Sequence, residues 1–533
     1  MLLPLDELPD AFHEELYRKC EARWNEEGGR NGKEIFKEIP ELNRVLESKT
    51  LQGGLTSVLG RDYTMHPARH MHVSGNNDGG YHKDGGHSSI RHHRPRWAMA
   101  MYYAGGCTVN MGPTSVIPGS QYLDVIDGNS PSDDDGRPVE VPEEVRVVVP
   151  PGTILLHHYE ISHRATGRKE EDAPWRCMFK LQFARCSEPA EPSWDCSSTA
   201  NPFAESPSPS ASAWDWMVGA EPEGGGDADV GALVEELNGE TEAVRVRAAY
   251  DLSFAARGGS AAALDGLLNA LQSTEVGREA PAPYQAGSKR VLPRVAMRGL
   301  AAAGYVATAP LISMLGHGNP TVVADAAFAL GESAAPSLAV VEGLHSAFGA
   351  FSASLDELAE QLDTSDLDAL PYGGSIQSAS EVHDQEAVKQ IREALRARMD
   401  PEITAMRRVC AVCAQALGLI AGRATAQAGS GEANDVRLAI AELIGARLAE
   451  PEPGKVLKEA GVIGDGGGGS TDKDTEVRQQ LALAALRLAS HGHSASPAAR
   501  YLNQLTAPAL YDAGEPTVQV SVALFSAHFL GRF

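Results

Sequence analysis

Basic residues are scarce in this chain. It carries 46 Lys and Arg against 71 Asp and Glu over 533 residues, a formal net charge of −25. A surface that acidic repels phosphate backbones and anionic membranes, which argues against nucleic acid or a membrane as partner. Cysteine is sparse as well. The seven are odd in number and scattered from Cys20 to Cys413, which argues against a disulfide framework. The opening Met1-Leu2-Leu3-Pro4-Leu5-Asp6-Glu7 lacks the basic segment of a signal peptide. No recognisable address closes the chain at Gly531-Arg532-Phe533. The most apolar long stretch, Val291 to Leu315, contains Arg294 and Arg298 and is rich in Ala and Gly, so packed helices are expected there rather than a membrane span. These absences point to a soluble, intracellular and cytoplasmic protein.

What is present suits globular domains: 43% of residues are hydrophobic and 22% charged, in a chain too long for one ordinary core. Residues 1–188 mix two patterns. Leu8 to Asn25 and Lys33 to Lys49 have helical character. After Gly53 come short apolar runs: Ala98 to Tyr103, Val145 to Val149, Thr153 to His157 and Cys177 to Phe183. Gly and Pro clusters bound them, which predicts an antiparallel sandwich or barrel. Residues 189–228 are rich in Pro, Ser, Glu and Gly and read as a linker. Trp194, Trp214 and Trp216 would pin it to a neighbouring domain or serve in a substrate lid.

Residues 229–533 are Ala-rich and helical in pattern. The segments Val244 to Leu252, Val322 to Leu330 and Val409 to Leu417 share a grammar: Val leads, small residues fill the middle and Leu closes the face. Looser echoes begin at Val436, Val477 and Val518. These segments resemble HEAT-like helical repeats of the phycobilin-lyase type, which implies an all-α solenoid. The insertions 363–385 and 464–474 break the period and are expected as loops. Cys410 and Cys413 fall three apart on an Ala-rich helix, a spacing that places both on one buried face, so core packing is expected of them.

The chemistry-bearing residues lie in the first 188. His82 and Asp84 occur in Gly79-Gly80-Tyr81-His82-Lys83-Asp84-Gly85, and His163 in Ile161-Ser162-His163-Arg164-Ala165-Thr166. Alternate residues of a strand address one side, so His82 and Asp84 can share an ion while His163 comes from a distant strand. Two imidazoles and a carboxylate are the facial triad that holds non-haem Fe(II) and leaves room for a 2-oxo acid and O2. His158 is the main rival to His163. Most of the other histidines of this region, such as His66, His70, His72, His87, His92, His93 and His157, are expected on the surface or behind the ligands. A zinc hydrolase is conceivable but leaves Arg176 unexplained. A planar guanidinium on a strand facing the metal is the natural bidentate partner of a carboxylate. The acidic run Ser132 to Gly136 reads as a solvated turn.

Three further stretches accompany the ligands: Gly112-Pro113-Thr114-Ser115-Val116-Ile117-Pro118-Gly119-Ser120-Gln121, the turn Pro151-Gly152-Thr153, and Arg176 downstream of His163. In this order they resemble the phytanoyl-CoA dioxygenase family over about residues 50 to 185. Gln121 stands where that family usually has His, and Thr153 where Asp is common. The 13-residue interval from His163 to Arg176 is slightly longer than usual, with Arg168 as the fallback. The resemblance implies a double-stranded β-helix (jelly roll) with flanking helices. It makes His82, Asp84 and His163 the iron ligands, Arg176 the anchor of the 2-oxoglutarate C5 carboxylate and Thr166 its helper. The implied cofactors are Fe(II), 2-oxoglutarate and O2, with ascorbate as a supporting reductant. The implied reaction is hydroxylation of a small-molecule or acyl substrate with release of succinate and CO2. An Asp at position 84 favours hydroxylation over halogenation, because related halogenating enzymes have a small residue there. Tyr81, Lys83, Arg91 and Trp97 are candidates for shaping the pocket. The alternative reading is a non-catalytic scaffold in which the repeats bind a protein partner and the oxygenase fold is degenerate; in a third, the repeats present a protein substrate.

Overall fold

The N-terminal region runs β1 (Leu2–Pro4), α1 (Asp10–Glu27), α2 (Ile35–Glu38), α3 (Leu42–Leu46), α4 (Lys49–Leu59), β2 (Tyr63–Met65), β3 (His70–Val73), β4 (Trp97–Tyr103), β5 (Thr114–Ile117), β6 (Val145–Arg146), β7 (Thr153–His158), β8 (Ser162–Ala165) and β9 (Cys177–Arg185). The computed structural model describes residues 1–27, 35–65, 70–84, 92–123, 144–170, 173–194, 200–203, 208–220, 224–225, 229–239, 241–273, 279–281, 289–291, 295–360, 385–426, 431–449 and 476–489. Arg91, the run 132–136, the insertions 363–384 and 464–474, and the echo from Val518 lie outside them.

The larger sheet has the order β1-β7-β4-β9-β2, with β3 also paired to β9, and the smaller the order β6-β5-β8. Alternation assigns the faces. Ala98, Ala100 and Tyr102 of β4 pack with Phe179, Leu181 and Phe183 of β9 against Leu16, Leu51 and Leu55 of the helices. On the opposite face Met99, Met101 and Tyr103 meet Leu155, Met178 and, from the smaller sheet, Val116. Both sides of the larger sheet are covered, so its strands read as continuous apolar runs. Two antiparallel sheets enclosing a core are what a double-stranded β-helix requires.

Two expected elements differ. Lys33 to Lys49 is not one helix: α2 ends before Pro40, whose ring disfavours helical backbone at Ile39. A fresh start follows at Ser48, whose side chain accepts the Leu51 N–H of α4 at 3.3 Å. The expected strand Val145 to Val149 is a strand only at Val145–Arg146. Beyond it, Val147 N–H donates to Thr114 O at 2.8 Å and Val149 bridges to Cys107.

The stretch expected as linker contains α5 (Pro209–Met217), capped by the Ser208 side chain on Ala211 N–H at 3.1 Å, with Pro209 in the first turn. Then come α6 (Val230–Glu236), α7 (Glu242–Arg257), α8 (Ala261–Gln272), the hairpin β10 (Glu279–Pro281) and β11 (Lys289–Val291), α9 (Val295–Ala303), α10 (Thr308–Met314), α11 (Pro320–Ser333), α12 (Leu338–Glu360), α13 (Gln385–Ala426), α14 (Gly431–Ala449) and α15 (Glu476–Ala489). The three clean Val–Ala–Leu segments fall on α7, α11 and α13. Helix α9 packs on α7 and α11, and α13 packs on α11, α12, α14 and α15. Small residues allow close approaches: a Cβ at Gly331 would lie 2.8 Å from Ala416 Cβ, and one at Gly418 would lie 2.8 Å from Ala484 Cβ. By length and composition Val295–Met314, Leu338–Leu358 and Ala405–Ala424 could each cross a membrane; 56%, 33% and 83% of their apolar windows are buried within the protein. A 3-10 turn at Gly304–Ala307 interrupts the first.

Buried charge joins the two regions. The Arg96 guanidinium donates to both oxygens of Glu188 at 2.8 Å and to Glu332 Oε1 on α11 at 2.5 Å. The same Glu332 oxygen meets His92 Nδ1 at 2.5 Å, while Gln415 of α13 contacts His92 Nε2. Trp216 donates to Glu188 Oε2 at 3.2 Å, and the Arg96 guanidinium sits 4.8 Å from the centre of its ring. Burial alone would raise the Glu188 carboxyl, but Arg96, with Arg423 and Arg487 behind it, holds it below the usual carboxylate range.

Candidate metal centre

The smaller sheet is extended by His82, which pairs with His163 of β8 as an isolated antiparallel bridge. Each residue's N–H donates to the other's carbonyl at 2.9 Å. Residues directly opposite in such a pair project to the same side, so the bridge brings the two imidazoles together, with ring centroids 4.5 Å apart. Asp84 follows two residues on, at a 3-10 position rather than on the strand expected of it. Its Oδ2 lies 3.2 Å from His163 Nε2. One ligand atom from each of the three lies within 4.8 Å of the others, the cluster of this kind found among the described residues.

The geometry of the turns serves the strand that carries His163. Gly112 has φ +73°, and a Cβ there would meet Thr166 O at 2.4 Å. Pro113 O accepts from Thr166 N–H at 3.1 Å. Gly119 turns the chain at φ +83°. Ser120 Oγ then accepts the Ser162 N–H at 2.8 Å, next to the ligand. The Gly-Pro and Pro-Gly-Ser stretches thus act as fasteners for β8.

The donor set fits a metal ion. His82 Nδ1 lies 3.1 Å from Gly80 O and His163 Nδ1 lies 3.1 Å from Ile161 O. A ring that donates from Nδ1 presents its Nε2 lone pair, the tautomer that a metal needs. Burial, and then His163 beside it, push the His82 pKa down to about 4, so this imidazole is neutral near pH 7. Burial works to raise the Asp84 carboxyl, but the Lys180 ammonium and His163 outweigh it and keep it well below the usual range. Asp84 Oδ2 is buried and makes no hydrogen bond. A buried carboxylate oxygen left this way beside an imidazole nitrogen is a ligand position in want of a cation. Ligand atoms about 2.1 Å from an ion and at right angles lie about 3 Å apart, which suits the 3.2 Å contact.

Arg176 directly precedes β9 and is buried. Its Nη1 donates to Thr114 Oγ1 at 2.6 Å, and Tyr103 OH donates to the same oxygen at 3.0 Å. The Arg176 Nε is buried without a partner, and no carboxylate of the described residues pairs with this guanidinium. A guanidinium edge of this kind is chemically suited to a carboxylate. Thr166, named with Arg176 from the sequence, spends its hydroxyl on Pro113 O at 2.6 Å. The hydroxyl on Arg176 belongs instead to Thr114, part of the Gly-Pro stretch and so within reach of sequence reasoning, but given no role there. Arg168, the fallback, binds Asn76 Oδ1 at 3.0 Å and Ala173 O at 2.9 Å and stacks on Trp175.

The remaining sequence candidates are dispersed. His158, the rival ligand, alternates with the inward His157, and its Nδ1 accepts from Glu160 N–H at 3.1 Å. Tyr81 OH donates to Glu144, and Arg164 lies over its ring at 4.9 Å. Lys83 Nζ reaches the carbonyls of Ser120 and Leu123. Trp97 packs on Tyr159, whose OH donates to Gln182 at 3.2 Å. Lys180, overlooked in the sequence because a lone Lys in an apolar strand carries no pattern, contacts Asp84 Oδ1.

Residues 10–173 match the family model described as Phytanoyl-CoA dioxygenase (PhyH). No curated protein matches the chain. Among solved structures it is similar to the non-heme monooxygenase ThoJ in its apo form, at 15% identity over 34% of this chain and 75% of that one, with a TM-score of 0.27. It is similar to the epimerase SnoN in complex with Fe3+, alpha ketoglutarate and nogalamycin RO, at 12% identity over 35% and 79%, with a TM-score of 0.28. It is also similar to HygX from Streptomyces hygroscopicus with nickel and 2-oxoglutarate bound, at 13% identity over 34% and 81%, with a TM-score of 0.28.

Proposed function

We propose that this chain hydroxylates an unactivated C–H bond of a small-molecule or acyl substrate, from the premise that residues 10–173 are a 2-oxoglutarate-dependent oxygenase domain of the phytanoyl-CoA dioxygenase (PhyH) family with His82, Asp84 and His163 as its candidate triad. One observation carries the reading: two imidazoles and a carboxylate with an unbonded oxygen converge in a partly buried site.

His82 and His163 would hold Fe(II) through Nε2 and Asp84 through Oδ2. Bound Fe(II) and 2-oxoglutarate supply the oxidation that places one oxygen atom of O2 in a C–H bond as the oxo acid becomes succinate and CO2. Arg176 would hold the distal carboxylate of 2-oxoglutarate, its Nη1 fixed by Thr114, which in turn accepts from Tyr103. Asp84 occupies the position a halide would need, which favours hydroxylation.

The helical region is proposed to stack as HEAT-like repeats that recruit a protein partner or the substrate, in an intracellular, cytoplasmic enzyme. The clustering of His82, Asp84 and His163 counts against the non-catalytic scaffold. The test is succinate release by the full chain with Fe(II), 2-oxoglutarate and ascorbate, without added substrate. The wild type should produce it and His163→Ala should not. A wild type that neither binds Fe(II) nor forms succinate would leave the scaffold reading standing.

A further inference from the structure

Lys180 belongs to the larger sheet, and Asp84 to the 3-10 position just after the His82 bridge on the smaller one. The two meet across the interior. Lys180 shares the inward side of β9 with Met178 and Gln182, faces Met101 on β4, and is 7% exposed. Its ammonium donates to Asp84 Oδ1. The other oxygen, Oδ2, turns to His163 Nε2 at 3.2 Å and accepts no hydrogen bond. The carboxylate is thus divided, with one oxygen held by a cation from the opposite sheet and one presented to the ligand cluster. A carboxylate left to itself can turn and offer an ion both oxygens, which would use up one of the positions that the oxo acid and O2 require.

We infer that Lys180 is a positioning residue that fixes Asp84 as a one-oxygen ligand, an inference that rests on His82, Asp84 and His163 forming a metal site. The electrostatics make the idea decidable by sign. A cation beside a metal site repels the incoming ion, so if Lys180 were only a neighbouring charge, its removal would tighten metal binding. If it orients Asp84, its removal weakens metal binding, because partners that hold a ligand in place are worth about 10- to 100-fold in metal affinity.

The experiment titrates the full chain with Co(II) and follows its visible spectrum, for wild type, Asp84→Ala, Lys180→Arg and Lys180→Met. Circular dichroism checks each fold; the shorter Lys180→Leu replaces Lys180→Met if the latter does not fold. Lys180→Arg, which keeps both charge and donor, should bind like the wild type. Lys180→Met should bind Co(II) about 10-fold or more weakly. Its bound spectrum should shift with the changed coordination, and the carboxylate stretching bands should move toward the two-oxygen mode. Equal or tighter Co(II) binding by a folded Lys180→Met, with an unchanged spectrum, overturns the inference and leaves the metal site standing. A wild type that binds Co(II) no better than Asp84→Ala overturns the metal site itself.

Discussion

Arg176 donates to the hydroxyl of Thr114 at 2.6 Å, so the residue just before one sheet's longest strand is held by the first residue of the other sheet's central strand. The Nε edge of the guanidinium makes no hydrogen bond. Thr114→Val keeps the shape and removes the oxygen. One lost hydrogen bond to a charged group is worth about 1.5 kcal/mol, or about tenfold in binding. The KM for 2-oxoglutarate, read from succinate formation, should rise by about that factor. Thr166→Val, which loses a bond to a backbone carbonyl instead, should leave that KM within about twofold.

His157 is buried on β7 with Nδ1 2.8 Å from the carbonyl of His158, and burial pushes its pKa down to about 3. In the unfolded chain the same ring takes a proton near pH 6.5. The folded state therefore binds fewer protons than the unfolded one between these values. Its contribution to stability is full above about pH 6.5 and is lost as the pH falls toward about 3. Melting temperatures of the metal-free protein should fall through this window, and His157→Gln should show a shallower decline. Parallel curves for the two proteins would refute the assignment.

Glu332 is the acid that the helical region contributes to Arg96, Arg94 and His92. Glu332→Ala strands buried cations, a change that costs about 3–5 kcal/mol when one partner of a buried pair is removed. Denaturant unfolding should show the loss. A midpoint unchanged from wild type would mean that the two regions are joined by packing alone.

Cys410 and Cys413 are fully buried on α13, and burial pushes the Cys410 thiol up to about 12. Neither should react with a thiol reagent in the native protein, while both should do so in denaturant. Cys410→Ser, which places a hydroxyl in that core, should lower stability by about 1–3 kcal/mol. Rapid labelling of the folded chain at either position would contradict core packing.

Much of the site could be read along the chain because its signals are local. A His-x-Asp spacing keeps two ligands near each other whatever lies elsewhere, and His82 and Asp84 do cluster, though Asp84 stands at a 3-10 position and not on the expected strand. Glycines at 112, 119 and 152 mark turns, since their φ values of +73°, +83° and +77° are open to glycine and strained for other residues. The apolar runs of β4, β7 and β9 announced strands for the same reason. Composition was a poorer guide where a local cap overruled it: Ser208 and Pro209 start a helix inside a stretch whose Pro and Ser content reads as linker.

The sequence by itself determined which residues could ligate, where the chain must turn, and which segments alternate between two faces, because each depends on neighbours within a few bonds. Only the tertiary structure decided that Thr114 rather than Thr166 steadies Arg176, that Lys180 holds Asp84, and that Glu332 closes the charge around Arg96. Those partners stand 62, 96 and 236 residues apart. At such separations contact follows from strand pairing and helix packing, which the whole chain selects at once, and no spacing in the sequence encodes it.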